Sequence, residues 1–162
     1  MKILDCTLRD GGYYNNWNFS NKVVNDYLSV MSAVSVDYVE IGFRSFETKD
    51  FKGPTWYTTE SFLNSLHIPK NITLGVMVNA SELISHSSGL YKATQLLFKD
   101  AKKSKIKLVR LACHFKEFNE TSKIIIFNNF FPSSTLGRFK ESIYVKIKPI
   151  FIFYKLLRSI FE

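Results

Sequence analysis

An α/β fold built on parallel strands is what this sequence predicts, and three observations predict it. Short apolar runs, several rich in β-branched residues, recur at residues 3–8, 37–44, 72–78 and 106–113. Stretches with apolar residues at helical spacing lie between them, at residues 24–34, 58–66 and 88–103. Turn signals mark the joints: Gly11-Gly12, Lys52-Gly53-Pro54 and Pro69. Strand alternating with helix is the pattern of βαβ units, whose sheet is covered on both faces.

The first run, Ile3-Leu4-Asp5-Cys6-Thr7-Leu8, stops abruptly in the charged pair Arg9-Asp10 and two glycines. It reads as a buried strand with Arg9 and Asp10 at its C-terminal end, where Gly11 and Gly12 permit a tight turn that brings the backbone close to a ligand. An ion pair that merely closes the strand is the structural alternative, since such pairs also occupy strand ends.

The stretch LDCTLRDGG, residues 4–12, resembles the opening strand of the metal-dependent lyases and Claisen-type synthases of the DRE-TIM metallolyase superfamily. That group holds 4-hydroxy-2-oxovalerate aldolase, 3-hydroxy-3-methylglutaryl-CoA lyase and isopropylmalate synthase. Three further segments resemble it in the same order: DYVEIGFR at 37–44, ITLGVMVN at 72–79 and LVRLACHF at 108–115, the last closest to the aldolase branch. The resemblance covers roughly residues 1–125. It implies the N-terminal half of a TIM (β/α)8 barrel, about four parallel strands with covering helices, followed by a tail that does not match. A complete barrel needs about 250 residues, and a chain of 162 holds about half of one.

The other elements follow in order. Ser20 suits a helix N-cap, with Phe19 and Val24 placed as a hydrophobic staple. Val24, Tyr27, Leu28, Met31 and Val34 then form the apolar face of a helix of about four turns. Residues 37–44 form the second strand, in which Glu40 is the odd member: a carboxylate in an apolar strand needs a partner if buried, and Arg9 is the candidate. Residues 58–66 read as a short helix that Pro69 separates from the third strand, residues 72–78. Asn79 ends that strand, either facing the barrel mouth or serving as a turn residue. A helix over residues 88–103 precedes the fourth strand, residues 106–113, which His114 closes.

From Thr121 the character changes. Among the last 40 residues, 123–162, 15 are Ile or Phe and none is Asp or Ala. The resemblance calls for a fourth helix and a Gly-led fifth strand, and neither is legible. Phe130-Phe131-Pro132-Ser133-Ser134 instead reads as a helix break. The division is therefore a partial barrel domain at 1–122 and a divergent basic tail at 123–162, as a frameshift or truncation product would carry. Residues 150–161 could alternatively form a basic amphipathic helix, too short to span a bilayer.

By resemblance, Arg9 stabilises the enolate that develops beside a 2-oxo acid, and Asp10 is a ligand for a divalent metal, Mg²⁺ or Mn²⁺. Glu40 would lie in the mouth near the catalytic arginine. His114 holds a place where the aldolases carry a histidine, although a hydrogen-bonded structural histidine is equally in keeping with a strand end. Tyr13 stands where the aldolases have a catalytic histidine, and a phenol is a poor general base at neutral pH. The family's His-x-His metal pair has no counterpart, because the histidines are His67, His86 and His114. Any metal is therefore expected to be weakly held.

The net charge is +8, but residues 121–162 carry seven Lys or Arg against two Glu, while the first 120 carry 15 basic against 12 acidic residues. A nucleic-acid footprint is not expected on the nearly balanced part. Cys6 and Cys113 read as reduced, buried thiols rather than a disulfide. With no signal-peptide pattern and no long uncharged run, a cytoplasmic location is expected. The partners expected are a small 2-oxo acid and, through unpaired sheet edges, other copies of the chain; membrane contact by the tail is not expected. The function expected is that of an aldolase-like lyase, impaired if truncated. The alternatives are an acyl-CoA-dependent Claisen-type synthase, or a noncatalytic half-barrel or membrane- or partner-binding module.

Overall fold

The computed structural model describes residues 2–101, 103–130 and 143–148. Five strands, β1 (Leu4–Asp5), β2 (Tyr38–Phe43), β3 (Thr73–Asn79), β4 (Ile106–His114) and β5 (Ile143–Lys148), lie side by side in chain order. Every neighbouring pair is parallel. Helices fill the connections: α1 (Thr7–Gly11), α2 (Asn21–Ala33), α3 (Pro54–Tyr57), α4 (Glu60–Asn64), α5 (Ala80–Ser85), α6 (Leu90–Leu97) and α7 (Phe118–Phe130). This is the repeating β/α pattern expected of a partial barrel, with four parallel strands and their helices over residues 4–114.

The first strand is shorter than its apolar run suggested. The Asp5 carboxylate accepts from the Thr7 backbone N–H at 2.9 Å and the Thr7 hydroxyl at 3.0 Å, a local turn that ends β1 and starts α1. Arg9 and Asp10 therefore sit on a helical turn beyond the strand and not on its last residues.

Ser20 caps α2 as expected, its hydroxyl accepting from the Val23 N–H at 3.3 Å. Val24 and Leu28 are fully buried, and Tyr27 and Met31 flank them, but Val34 lies beyond the helix and is exposed. The helix expected at 58–66 is the shorter α4, and α3 lies before that range, separated from it by Thr58 in a left-handed conformation (φ 39°). The expected helix at 88–103 is the shorter α6, preceded by α5, whose residues follow β3 without a loop.

The sheet has two differently composed faces. Val39, Ile41, Leu74, Val76, Val78, Val109 and Leu111 pack in one cluster with Val24, Leu28, Leu63 and Ala93 of the helices. Alternation along the strands sends Glu40, Met77 and Arg110 to the other face.

Beyond residue 114 the structure departs from the sequence reading. The helix and parallel strand judged illegible are present as α7 and β5, and the boundary set between 122 and 123 falls inside α7. The strand's own text, Ile-Tyr-Val-Lys-Ile-Lys, alternates apolar and polar residues with β-branching, a signal obscured by the unusual composition around it. The basic amphipathic helix placed at 150–161 and the helix break beyond Phe130 lie outside the described residues.

Candidate active site

The polar centre of the molecule is a buried ion triad. Glu40 on β2 is completely enclosed, and Arg9 and Arg110 approach it from α1 and β4 with 7% and 6% of their surface exposed. Arg9 Nε donates to Glu40 Oε1 at 2.8 Å. Arg110 takes the carboxylate side-on, Nε to Oε2 at 2.6 Å and Nη2 to Oε1. Such a carboxylate is stabilised only because both oxygens are bonded to cations; unpaired, it would be driven out or neutralised. Two guanidinium charges against one carboxylate leave this buried group with a net single positive charge.

Asp10 balances that charge from outside. Its carboxylate meets Arg9 Nη1 at 2.5 Å, with 59% of its side chain exposed. Arg9 is thus gripped at two places, its Nε edge by a buried carboxylate and its Nη1 corner by an exposed one.

Cys6 lies against the triad. Arg110 Nη2 reaches its Sγ at 3.5 Å. Burial pushes the thiol above its ordinary value and Glu40 adds to the effect, while Arg110 and Arg9 pull the other way. Burial works against the charge of Arg110, but the hydrogen bond and charge of Glu40 outweigh it and hold that guanidinium above its ordinary value.

An aromatic cluster borders the triad. Trp17, Phe43 and Met77 are buried together, with Trp56 packed on them. Trp17 meets Trp56 at 4.4 Å, Phe43 at 5.5 Å and Tyr13 at 4.7 Å between ring centroids. The Trp17 indole N–H donates to the Arg9 carbonyl at 2.9 Å. Gly12 makes this approach possible, since a Cβ there would stand 2.0 Å from the Trp17 ring. Gly11 and Gly12 both have ordinary right-handed helical backbones, so side-chain room for Trp17, and not an unusual turn, is what requires glycine at position 12.

The sequence-derived site residues are placed as follows. Arg9, Asp10 and Glu40 are brought together, with the Arg9–Glu40 pairing as expected. Tyr13 is exposed on the 3-10 turn Gly12–Tyr14, edge-on to Trp17. His114 is exposed at the end of β4, where its imidazole accepts from the Glu117 N–H and the Glu117 carboxylate accepts from the His114 N–H at 2.8 Å. Its observed bonding is that of a cap. Asn79 ends β3 beside Ala112 in register. Arg44 is buried but turned to Glu60, Nη2 to Oε1 at 2.9 Å. Arg110 was missed, although the reasoning applied to Glu40, a charge inside an apolar strand, applies equally to it.

The donor set does not fit a metal. Asp10 offers one hard oxygen centre already paired with Arg9, Glu40 is spent on two guanidiniums, and Asp5 is held by Thr7 and Tyr27. Among the described residues no group of three or more His, Cys, Asp or Glu converges. Among them, too, no helix is long and apolar enough to cross a membrane.

No family model matches the sequence, and no curated protein matches it. Among solved structures the chain is similar to the N-terminal domain of a putative aldolase from Bacteroides vulgatus, with 26% identity and a TM-score of 0.67. The likeness covers 91% of this chain and 44% of that one, so the chain spans less than half the length of its structural neighbour. It supports an aldolase-like fold for these β/α units.

Proposed function

We propose that this chain carries the enolate-stabilising part of an aldolase-like lyase of the DRE-TIM type, which cleaves or forms a carbon–carbon bond next to a 2-oxo acid. The observation that carries the reading is Arg9: a buried guanidinium fixed at two places, by Glu40 and Asp10, beside the first strand of a β/α array.

In the cleavage direction a 4-hydroxy-2-oxo acid loses its hydroxyl proton, the C3–C4 bond breaks to release an aldehyde, and the electron pair passes to C3–C2 to give the pyruvate enolate. Negative charge develops on the C2 oxygen, and the role of Arg9 is to donate to that oxygen. A donor already oriented at the start costs no reorganisation in the transition state, and removing one such donor typically costs about 10² to 10³ in rate. Glu40 and Asp10 hold Arg9 in place, and Arg110 offsets the charge of Glu40, so that the charge of Arg9 is opposed only by the exposed Asp10. Protonation of C3 then yields pyruvate. Of the residues at the positions the resemblance marks, Tyr13 carries a phenol that is a poor base at neutral pH and His114 is engaged in a cap with Glu117, so neither is given the proton transfer. No step is routed through a metal, because the described carboxylates do not assemble a site for one.

Oxalate, a planar dianion shaped like the pyruvate enolate, tests the reading. Trp17 bonds the Arg9 carbonyl and Trp56 packs on Trp17; they are the chain's two tryptophans, so their fluorescence reports locally. Oxalate is expected to perturb that emission saturably, and Arg9→Lys to weaken binding about tenfold or more, the worth of a charge-assisted bond. Equal affinity in Arg9→Lys, or no binding at all, would refute the assignment.

A further inference from the structure

Arg9 is held not only through its side chain. Residues 15–18 fold back on α1, and Trp17 is only 3% exposed although it stands in a loop. Asn16 and Trp17 both have left-handed backbones, φ 56° and 58°, two consecutive residues without glycine's tolerance for that region. Strain of this kind persists only where surrounding contacts over-determine it, and it gathers at functional sites.

The contacts that over-determine it are specific. The Trp17 N–H donates to the Gly12 carbonyl at 3.0 Å, and the Gly53 N–H donates to the Asn16 carbonyl at 2.8 Å. The Thr55 hydroxyl donates to the Trp17 carbonyl at 2.9 Å. Gly53 is needed for this clamp, because a Cβ there would lie 2.4 Å from the Trp17 carbonyl oxygen. Lys52 closes it, with its ammonium bonded to Asn16 Oδ1 at 3.0 Å and standing 5.3 Å from the Trp17 ring centroid. All this machinery converges on one polar contact, the indole N–H to the carbonyl of Arg9.

We propose that Trp17 is a positioning residue for Arg9: its indole N–H, held in a strained loop by residues 52–55, fixes the Arg9 backbone and so the direction in which the guanidinium is presented. The inference deepens the enolate-stabilising reading and rests on it for the meaning of Arg9. Its test reads Arg9 directly, so the two can fail separately.

The Nε–H groups of Arg9 and Arg110 both donate to Glu40 and should give slowly exchanging proton–nitrogen NMR signals, the Arg9 signal being assigned by its loss in Arg9→Lys. Trp17→Phe keeps an aromatic ring against Lys52 and removes the donor. It is expected to shift the Arg9 signal and speed its exchange about tenfold, the scale of one lost buried hydrogen bond, leaving Arg110 within about twofold. Oxalate affinity should fall in parallel. If Trp17→Phe does not fold, Thr55→Val loosens the same loop from its far side and should move the Arg9 signal in the same direction. An unchanged Arg9 signal, or equal changes at Arg9 and Arg110, would overturn the proposal, since a merely structural role loosens both. A wild-type chain that binds no oxalate while its Arg9 signal answers to Trp17→Phe would uphold the positioning role and refute the functional reading.

Discussion

Arg110 and Glu40 lie 70 residues apart in sequence and on strands separated by β3, yet they meet side-on, Nε to Oε2 at 2.6 Å. The same carboxylate receives Arg9 on Oε1. Losing this partner would leave Arg110 an uncompensated cation in a buried place and Arg9 with only the exposed Asp10.

Glu40→Gln is therefore expected to destabilise the fold by about 3–5 kcal/mol, the usual cost of removing one member of a buried ion pair. Urea unfolding at neutral pH measures it. A loss below about 1 kcal/mol would place the triad in solvent, contrary to its burial.

The two glycines after Asp10 should behave oppositely. Gly12→Ala puts a methyl group 2.0 Å from the Trp17 ring, whereas at Gly11 the nearest atom is 3.8 Å away, on Phe19. Overpacking at position 12 should cost about 1–3 kcal/mol or more. Gly11→Ala, in a helical backbone, should be neutral or stabilising by up to about 1 kcal/mol. Thermal melts of the two variants decide it, and equal melting points would refute the packing described.

Stability should fall on the alkaline side. Burial first, and then the hydrogen bond to Asp5, raise the Tyr27 phenol well above its ordinary value of 10.0. Burial likewise raises the Cys6 thiol above 9.0. A raised value means that the folded state keeps its proton longer than the unfolded state, so this stability is complete below the unfolded value and drains away as pH rises past it. The urea midpoint should drop between pH 8 and pH 10.5. Tyr27→Phe should flatten the drop while costing about 1 kcal/mol at neutral pH through the lost hydrogen bond.

Mn²⁺ should bind on the order of millimolar at best, because Asp10 is the one expected ligand among the described residues and Arg9 competes for it. Calorimetry checks this. A micromolar site that vanishes in Asp10→Asn would show that other residues complete a metal centre.

Much of the array was legible before any coordinates. Apolar runs at residues 37–44, 72–78 and 106–113 became β2, β3 and β4, and Ser20 capped α2, because hydrophobic periodicity and capping are local properties written in consecutive residues. Glu40 announced itself as a charge that burial would force to find Arg9. What tertiary structure alone decided are the facts that depend on distant partners. α7 and β5 continued the pattern through a stretch of unusual composition, β5 by pairing with β4, whereas Asp5 catching Thr7 and Glu117 capping His114 are local contacts that the sequence reading passed over. Above all, the place of Arg110 beside Glu40 depends on the order and register of three strands, and the role of Gly12 on a tryptophan five residues on that folds back over it. Periodicity says which face of a strand is buried; it does not say which charged residues will be left facing one another across that burial, because their pairing is fixed by strand order and register.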